Sequence, residues 1–404
     1  MAGKNNNASR NIRVIVMEDV YIVSAKRTPI GKFGKSLSRL TAPELGAKAI
    51  SGAIKSTQLP YENVDEVIMG NVIQAGVGQN PAGQASRLAG LSDVVTKFTV
   101  NAVCASGMLA IESASREIAL GERNIVVAGG MESMSNAPFL LPPYLRWGPR
   151  QLFNKNYKID DAMLTDGLMD AFYFEHMGLS AEKTAAKYDL TREQADQFSV
   201  ESQEKALKAT QNGTLKKELV EMEELQQDEG IRETTTESLG KLVPAFERKG
   251  ILTAGNSSQL SDGASALVLA SGRAVEENNL KPIARILGYE SASLDPRDYV
   301  IAPIPATKKL MSKLGKDVSY FDLVEHNEAF SVASIIVRDE LKIPKEIFNV
   351  NGDAIALGHP LGNSGSRVVV TLLNALREKK LSRGLATLCH GGGGAHSMAI
   401  EVIE

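Results

Sequence analysis

The sequence predicts an α/β protein of two similar layered α/β/α halves, with a mainly helical loop subdomain inserted into the first half. Three observations support this fold class. Apolar strand patterns alternate with amphipathic helix patterns in the first and last thirds of the chain. The elements follow the same order in those two thirds. Between about residues 138 and 259 the strand patterns stop, and methionines, aromatic residues and charges become more frequent.

The first third contains the elements of one half. Short apolar runs predict strands at residues 20–24, 67–72, 98–100 and 124–128, the last ending at a Gly-Gly pair. Helical spacing of apolar residues predicts helices at 43–58, where a proline stands at the start, and at 106–120.

The insertion is recognised by one long helix. Thr191 and Gln194 form a capping box, and the helix is expected to run to Thr210. Strand patterns resume at 266–269 and 285–288. We therefore place the first domain at residues 17–282, including the insertion at about 138–259, and the second domain at 283–404.

The last third repeats the outline of the first. We expect a strand at 321–324, a second strand near Phe348, a helix at 366–379 and strands at 385–388 and 397–403. Each half then runs from a small-residue turn through Ser-Gly, a helix and a strand to Gly-Gly, which indicates a weak internal duplication. The duplication places Cys104 and His359 in equivalent turns, where they face each other across the interface of the halves. Each half is expected to hold a mixed five-stranded sheet.

Composition limits the class of protein. The 404 residues carry a net charge of −3, with 43% hydrophobic and 23% charged residues, which are ordinary globular values. This charge argues against general binding of nucleic acid or of a membrane surface, and no apolar run approaches the roughly 18 residues of a membrane span. Two distant cysteines do not form a disulfide framework, which favours a reducing, cytoplasmic location.

The first 16 residues differ from the rest. They carry Lys4, Arg10 and Arg13 without any acid, and a clean strand pattern begins only after Met17. We interpret residues 1–16 as a disordered tail or a leader. The basic, acid-free composition leaves mitochondrial import open as an alternative.

Two thiols and one imidazole, each in a turn of small residues, suggest catalysis by cysteine and histidine. Cys104 stands at a turn that opens a helix, where backbone N–H groups favour a thiolate. His359 lies in a glycine-bounded turn and is suited to act as its base. Cys389 precedes four glycines, and a second thiol of this kind suits an acid or base. The chain is therefore predicted to be an enzyme.

Other interpretations of these residues remain open at this point. A cysteine among small residues is often a packed core residue, and His359 fits a structural role in its turn. The glycines after Cys389 precede a strand pattern and no Gly-Lys-Ser/Thr follows, so a phosphate-binding P-loop is not expected. The histidines and Cys389 of the last third match no zinc spacing, so no metal is expected.

Four motifs resemble those of the thiolase family, in order and spacing, from about residue 20 to the C-terminus. They are Asn-Ala-Val-Cys-Ala-Ser-Gly-Met at 101–108, Asn-Glu-Ala-Phe at 327–330, Asn-Gly-Asp-Ala-Ile-Ala-Leu-Gly-His-Pro-Leu-Gly at 351–362, and Cys-His-Gly-Gly-Gly at 389–393. The resemblance implies the thiolase fold.

The resemblance also implies roles for the site residues. Cys104 would accept an acyl group as a thioester and His359 would activate it. Cys389 would remove a proton from the α-carbon of a second acyl-CoA. The backbone N–H groups of Cys104 and Gly391 would form one oxyanion hole, and His359 with a water held by Asn327 would form the other.

Binding residues are carried over at fewer positions. Ser258 matches a serine that contacts the pantetheine arm, Arg232 an arginine near the adenine, and His176 and Met177 a lid over the acyl end. The acid-poor stretch at 144–158, with Arg150 and Lys155 within it, lies where the family has its tetramerisation loop. A homotetramer or homodimer is therefore expected. Acetyl-CoA, acetoacetyl-CoA and CoA would be the substrates, and no metal or organic cofactor beyond them is implied.

The lid favours the biosynthetic, acetyl-CoA acetyltransferase branch of the family, which joins two acetyl-CoA to acetoacetyl-CoA and CoA. A degradative 3-ketoacyl-CoA thiolase of longer chains is the alternative. A non-catalytic CoA-binding homologue is a minor alternative, against which the intact set of motifs argues. Retention of Cys389 argues against the ketoacyl synthases, which use one cysteine and two histidines. A disulfide between Cys104 and Cys389 under oxidation is a further hypothesis.

Three residues depart from the family pattern. His390 stands where an aliphatic residue is usual, Asp353 replaces a usual glycine, and Asn363 replaces a usual small residue. We hypothesise that His390 changes the proton affinity of Cys389. Asn327 is retained, so the water-holding arrangement is expected to survive.

Overall fold

The computed structural model describes residues 18–147 and 158–403. The predicted tail at 1–16, and Arg150 and Lys155 of the acid-poor stretch, lie outside the described residues. The strands are β1 Val20–Arg27, β2 Gly31–Lys32, β3 Glu66–Gly70, β4 Thr96–Val100, β5 Ile125–Ser133, β6 Phe139–Leu140, β7 Asp160–Asp161, β8 Ser261–Ser271, β9 Ala284–Ser293, β10 Leu323–His326, β11 Arg383–His390 and β12 Gly394–Val402. The helices are α1 Ala42–Lys55, α2 Pro81–Leu88, α3 Ser106–Ala119, α4 Met177–Lys187, α5 Arg192–Gln211, α6 Thr236–Gly240, α7 Gly272–Glu277, α8 Pro303–Leu314, α9 Ser331–Glu340, α10 Ala354–Leu357 and α11 Leu361–Lys379.

The strands of both halves join into one mixed sheet. Its order over the described residues is β10-β11-β12-β9-β1-β8-β5-β3-β4, and β2 pairs with β8. Strand β3 is parallel to β4 and β5, and β10 is parallel to β11, while the other pairs are antiparallel. The halves meet where β1 pairs with β9 over only two residue pairs, Tyr21 with Arg285 and Ile22 with Ala284.

Helices α3 and α11 lie at the centre of the molecule. They pack on each other and contact strands of both halves, β5 and β8 on one side and β11 and β12 on the other. Their apolar faces share one core cluster. Helices α1 and α2 cover the outer face of the first half, and α8 covers that of the second. Because α3 follows the Cys104 turn and α11 follows the His359 turn, this central pair positions both turns.

The second half differs from the predicted five-stranded sheet. Its hydrogen-bonded strands are β10, β11, β12 and β9, and the strand expected near Phe348 is a single bridge from Phe348 to Val324. A 3₁₀ turn at Lys345–Ile347 precedes Phe348, and Asn349 after it has φ 45°. Neither conformation continues a strand. The first half has the expected five strands, with β2 added at β8.

Element ends also differ from the sequence predictions. Strand β5 does not stop at Gly129 but runs through it to Ser133. A Cβ on Gly129 would lie 2.0 Å from the Ser265 carbonyl oxygen of β8, so the glycine allows close strand contact. Helix α11 begins at Leu361, five residues before the predicted start.

The insertion contains α4, α5 and α6 with short 3₁₀ turns and a π-helical turn at Met163–Leu168. The capping box of Thr191 and Gln194 is present, and α5 continues to Gln211. A buried arginine attaches the insertion to β1. Arg27 Nε donates to Glu218 at 2.6 Å, and its Nη1 and Nη2 donate to Asp228 at 2.6 and 2.8 Å. No helix in the described ranges is long and apolar enough to span a bilayer.

Candidate active site

Cys104 lies in a strained turn between β4 and α3. Val103, the residue before it, has φ 47°, a conformation that costs energy in a β-branched residue. The turn is held by Ser106, whose hydroxyl donates to the Val103 carbonyl at 2.6 Å and accepts from the Ala102 N–H at 2.9 Å. Asn101 Oδ1 accepts from the Val103 N–H at 2.9 Å. These bonds fix the thiol of Cys104, which is 4% exposed, at the start of a helix.

His359 faces this thiol, as the predicted duplication requires. Its Nε2 lies 3.3 Å from Cys104 Sγ. Its Nδ1 lies 2.6 Å from the hydroxyl of Ser364, and that hydroxyl donates to the Pro360 carbonyl at 3.0 Å. Because the serine has one proton and directs it to Pro360, it accepts from Nδ1–H of His359. The lone pair of Nε2 therefore faces the thiol, as a general base requires.

Small residues bring the two turns together. A Cβ on Gly107 would lie 2.5 Å from Ser366 Oγ, and a Cβ on Gly365 would lie 2.5 Å from the Met108 backbone nitrogen. These contacts allow α3 and α11 to touch at their N-terminal ends. Asn363 is buried at the same contact, where its Oδ1 accepts from the Ser265 hydroxyl at 2.6 Å.

Burial keeps the Cys104–His359 pair neutral. Burial raises the pKa of the Cys104 thiol to about 12, although the backbone N–H groups of Gly391 and of Cys104 itself act in the opposite direction. Burial lowers the pKa of His359 to about 4, and the charge of Arg367 adds to this effect. The site therefore holds a thiol and a neutral imidazole, not an ion pair. The two N–H groups converge at the sulfur, where a developing oxyanion would need them.

Cys389 is the second buried thiol of the site. It is 1% exposed, near the end of β11. Burial raises its pKa above the ordinary value, and repulsion from Cys104 contributes. Burial and then the charges of both cysteines raise the pKa of the Tyr299 hydroxyl, which donates to the Met177 carbonyl at 3.1 Å. Cys389 packs in one buried cluster with Met177 and Tyr299, and the N–H of Gly391 points to the Cys104 thiol. The segment that carries Cys389 therefore also reaches Cys104.

The hydrogen bond of His390 is with a group other than Cys389. Burial and repulsion from Cys104 raise the pKa of Cys389, and an effect of His390 on that pKa stays a prediction. The His390 Nδ1 instead donates to the Gly391 carbonyl at 2.6 Å, and its ring lies 5.6 Å from that of His396. Successive residues of a strand point to opposite faces, so the two side chains of Cys389 and His390 diverge.

Asn327 follows β10 beside the strand that carries Cys389. Its backbone N–H donates to the Thr387 carbonyl at 3.3 Å. Its Oδ1 accepts from Nη2 of Arg367 at 3.1 Å, and its buried Nδ2 has no hydrogen-bond partner in the described part of the chain. The amide thus retains an available donor. Sequence reasoning missed Arg367, whose partner Asn327 lies 40 residues away. It also missed Ser364, which lies just beyond the histidine motif and is recognised only by its hydrogen bond to His359.

The predicted binding residues surround the thiols on one side. Met177 lies against Gly391, with its sulfur 3.5 Å from where a Cβ on that glycine would be. His176 caps α4 by accepting from the Gly178 N–H at 3.0 Å, and its ring stacks on Phe246 at 4.8 Å. Met177 thus contacts the loop after Cys389, and the role of a lid stays a prediction.

Ser258 and Arg232 lie at the other predicted positions. The Ser258 N–H donates to the carbonyl of Ala329, within the Asn327 motif, at 3.0 Å. Arg232 is half-buried, and its contacts are to Gln203 and to the Gly230 carbonyl within the insertion. The structure thus brings Ser258 to the segment that follows Asn327, and it holds Arg232 on the insertion.

A cavity of about 570 Å³ opens beside the thiols. Its lining includes Val103, Met177 and Gly391 together with Met169 and Phe172 of the insertion. A separate cavity of about 690 Å³ lies between β1 and the end of α11 and includes none of the predicted site residues. Among the described residues, no group of three or more His, Cys, Asp or Glu side chains is arranged to hold a metal ion.

Comparison with known proteins agrees with this geometry. The family model for the thiolase N-terminal domain matches residues 20–273, and that for the thiolase C-terminal domain matches 280–402. The chain is 44% identical to the acetyl-CoA acetyltransferases of Synechocystis and Escherichia coli over 394 residues, which is 95% of this chain and 100% and 99% of those proteins.

Two solved structures are similar over nearly their full length. One is the Acat5 thiolase from Ascaris suum in complex with coenzyme A, with a TM-score of 0.91, 43% identity and coverage of 96% of this chain and all of that chain. The other is human mitochondrial 3-ketoacyl-CoA thiolase in complex with CoA, with a TM-score of 0.92, 36% identity and coverage of 96% and 99%.

Proposed function

The chain belongs to the thiolase family, and we propose that it is an acetyl-CoA acetyltransferase, which joins two acetyl-CoA molecules to acetoacetyl-CoA and CoA. The main observation in support is that His359 Nε2 lies 3.3 Å from Cys104 Sγ. Cys389 supplies a second buried thiol at the same site. The acetyl-CoA acetyltransferases that are 44% identical over 95% of the chain support the substrate.

The first half-reaction forms an acyl-enzyme. Cys104 Sγ attacks the thioester carbonyl of acetyl-CoA while His359 Nε2 takes the thiol proton. The N–H groups of Cys104 and Gly391 hold the oxyanion. When the intermediate collapses, CoA leaves with the proton of Cys389. Cys104 is then a thioester, His359 an imidazolium and Cys389 a thiolate.

The second half-reaction forms the carbon–carbon bond. The Cys389 thiolate removes a proton from the methyl group of a second acetyl-CoA, and burial makes that thiolate a strong base. His359 and the Asn327 amide donor stabilise the enolate oxygen. The enolate carbon attacks the Cys104 thioester, and the Cys104 thiolate leaves and recovers its proton from His359. All three groups return to their neutral resting forms.

A degradative 3-ketoacyl-CoA thiolase is the second candidate. The cavity of about 570 Å³ beside Val103 and Met177 favours it, since a chain longer than acetyl needs such space. The human 3-ketoacyl-CoA thiolase is 36% identical to this chain. The Met177 lid over Gly391 favours the short-chain enzyme, because it narrows the approach to the thiols.

The proposal is tested by comparing two thiolysis rates with CoA. One is measured with acetoacetyl-CoA and the other with 3-ketoacyl-CoA substrates of long acyl chains. Turnover confined to acetoacetyl-CoA supports the acetyltransferase. Faster turnover of the long substrates contradicts it and indicates the degradative enzyme. Activity with neither indicates the non-catalytic homologue.

We further propose a homotetramer or homodimer in the cytoplasm that uses no metal and no cofactor beyond its CoA substrates. Phe139, Leu141 and Trp147 are 72%, 64% and 83% exposed beside the expected tetramerisation loop, and a subunit contact would cover them. Light scattering after size exclusion determines the assembly. Full activity after dialysis against a chelator would agree with the absence of a metal, and cell fractionation tests the location against mitochondrial import.

A further inference from the structure

Asp353 and Arg367 form a buried ion pair next to the Asn327 side chain. Both are fully buried, and their side chains meet through two hydrogen bonds, one of 2.7 Å from Nη2 to Oδ1 and the other from Nη1 to Oδ2. The same Nη2 donates to Asn327 Oδ1 at 3.1 Å. One guanidinium therefore joins the carboxylate of Asp353 to the amide of Asn327.

This contact determines how the Asn327 amide is turned. A guanidinium carries only donors, so the atom that faces Arg367 must be the oxygen of the amide. The nitrogen then points away as an available donor, and it has no hydrogen-bond partner among the residues that the structure describes. A rotation of the amide by half a turn would place two donors face to face.

Asp353 is itself held from several sides. Its Oδ1 accepts from the backbone N–H groups of Glu328 at 3.0 Å and Ala354 at 2.6 Å. Glu325 is hydrogen-bonded to it, and burial beside Asp353 raises the pKa of Glu325 well above its ordinary value. Glu325 is therefore protonated and donates to Asp353, whose pKa Arg367 keeps low. The carboxylate remains charged and fixes the guanidinium in one orientation.

We propose that Asp353 and Arg367 are positioning residues, which present the Nδ2 donor of Asn327 to the second acyl-CoA during carbon–carbon bond formation. The inference deepens the proposed function and rests on it for the role of Asn327. Asp353 stands where the thiolase motif usually has glycine, so this chain adds a carboxylate behind an existing site residue.

A double-mutant cycle of Asp353→Asn and Asn327→Ala tests the proposal. We expect D353N to lower kcat of thiolysis by roughly 10- to 100-fold, as displacement of a catalytic donor does, with KM little changed. In the N327A background D353N is expected to lower kcat of thiolysis by less than about twofold, because the amide that Asp353 positions is already absent. An equal loss in both backgrounds would overturn the proposal and indicate a merely structural ion pair.

The acyl half-reaction provides a second readout. Exchange of acetyl groups between acetyl-CoA and labelled CoA requires Cys104, His359 and the proton of Cys389, but not the Asn327 amide that stabilises the enolate. We expect D353N to leave this exchange rate within about twofold of wild type at pH 8, where His359, with a pKa of about 4, is neutral. Loss of exchange in parallel with thiolysis would contradict the positioning role.

Asp228→Asn is the matched control. This substitution also removes a buried carboxylate that accepts two hydrogen bonds from an arginine, Arg27. The hydrogen bonds of Asp228 are with groups other than Asn327. We expect D228N to lower stability without the selective loss of thiolysis. The cycle is measured with the 3-ketoacyl-CoA that the wild type cleaves fastest. If the enzyme prefers longer substrates than acetoacetyl-CoA, the proposed function is wrong in that respect, but the cycle still tests the role of Asp353.

Discussion

Nε2 of His359 lies 3.3 Å from Sγ of Cys104 across a sequence separation of 255 residues. The contact exists because α3 and α11 meet at their N-terminal ends, and each helix starts just after one of the two turns. Ser364 then fixes which nitrogen carries the proton. The helix contact therefore brings base and nucleophile together, and the start of α11 itself determines the tautomer.

Ser364→Ala is expected to lower kcat about 10-fold, because the imidazole loses the acceptor that keeps its proton on Nδ1. Steady-state thiolysis measures the change. Ser113→Ala is the control, since it removes a serine hydroxyl of α3 whose hydrogen bond, within residues 18–147 and 158–403, is to the Leu109 carbonyl at 2.8 Å. Equal rates in the S364A variant and the wild type would show that the tautomer does not depend on Ser364.

Substitution of each thiol is expected to block a different half-reaction. Cys104→Ser should abolish acylation. Cys389→Ser should still accept one acetyl group from acetyl-CoA, more slowly because CoA then leaves without the proton of Cys389, but it should not form acetoacetyl-CoA. Intact-protein mass spectrometry after incubation with acetyl-CoA detects the acyl-enzyme. An acetylated C104S protein, with the label on Cys389, would reverse the assigned roles.

Alkylation of Cys104 is expected to depend on pH as that of a neutral thiol. With the pKa of Cys104 raised to about 12 by burial, the thiolate fraction grows about tenfold per pH unit across the range from 7 to 10. The rate at which iodoacetamide alkylates Cys104, followed by intact-protein mass spectrometry in C389S to isolate the first thiol, should rise accordingly. A rate that is level above pH 6 would instead indicate a thiolate–imidazolium pair.

Gly107→Ala is expected to lower activity by more than 100-fold, because its Cβ would lie 2.5 Å from Ser366 Oγ and separate α3 from α11. Thiolysis and thermal unfolding are measured together. Gly240→Ala serves as the control, since a Cβ there meets nothing within 4 Å. Wild-type activity in G107A would show that the catalytic contact tolerates a wider helix separation.

His390→Ile is expected to leave the pH–rate profile unaltered. The His390 ring bonds the Gly391 carbonyl, and the pKa of Cys389 is raised by burial and by Cys104. The profile of thiolysis from pH 6 to 10 measures this. A shifted alkaline limb in H390I would restore the hypothesis that His390 tunes Cys389.

The local elements were predictable because their signals are local. The capping box of Thr191 and Gln194 starts α5 as predicted. The prediction of a strand near Phe348 was wrong, because apolar composition does not reveal that Asn349 adopts φ 45° and ends the pairing at once. Likewise the glycines of β5 suggested an end, whereas Gly129 allows a close contact with β8 and Gly130 one with Gly362 of α11.

The site was predictable as a set of residues but not as a geometry. The motifs named Cys104, His359, Cys389 and Asn327, and the internal duplication indicated that the first two face each other. Arg367 was not predicted, because its partners Asp353 and Asn327 lie 14 and 40 residues away and no local pattern links them.

The sequence by itself determined the chemical groups, the order of the elements and the family, since these depend on residue type and spacing along the chain. The tertiary structure decided the neutral state of the thiol and imidazole, the tautomer of His359 and the orientation of the Asn327 amide. The neutral state depends on burial, the tautomer on the acceptor that the start of α11 places beside His359, and the amide orientation on a donor 40 residues away. These surroundings exist only when α11 is folded and packed between the two halves.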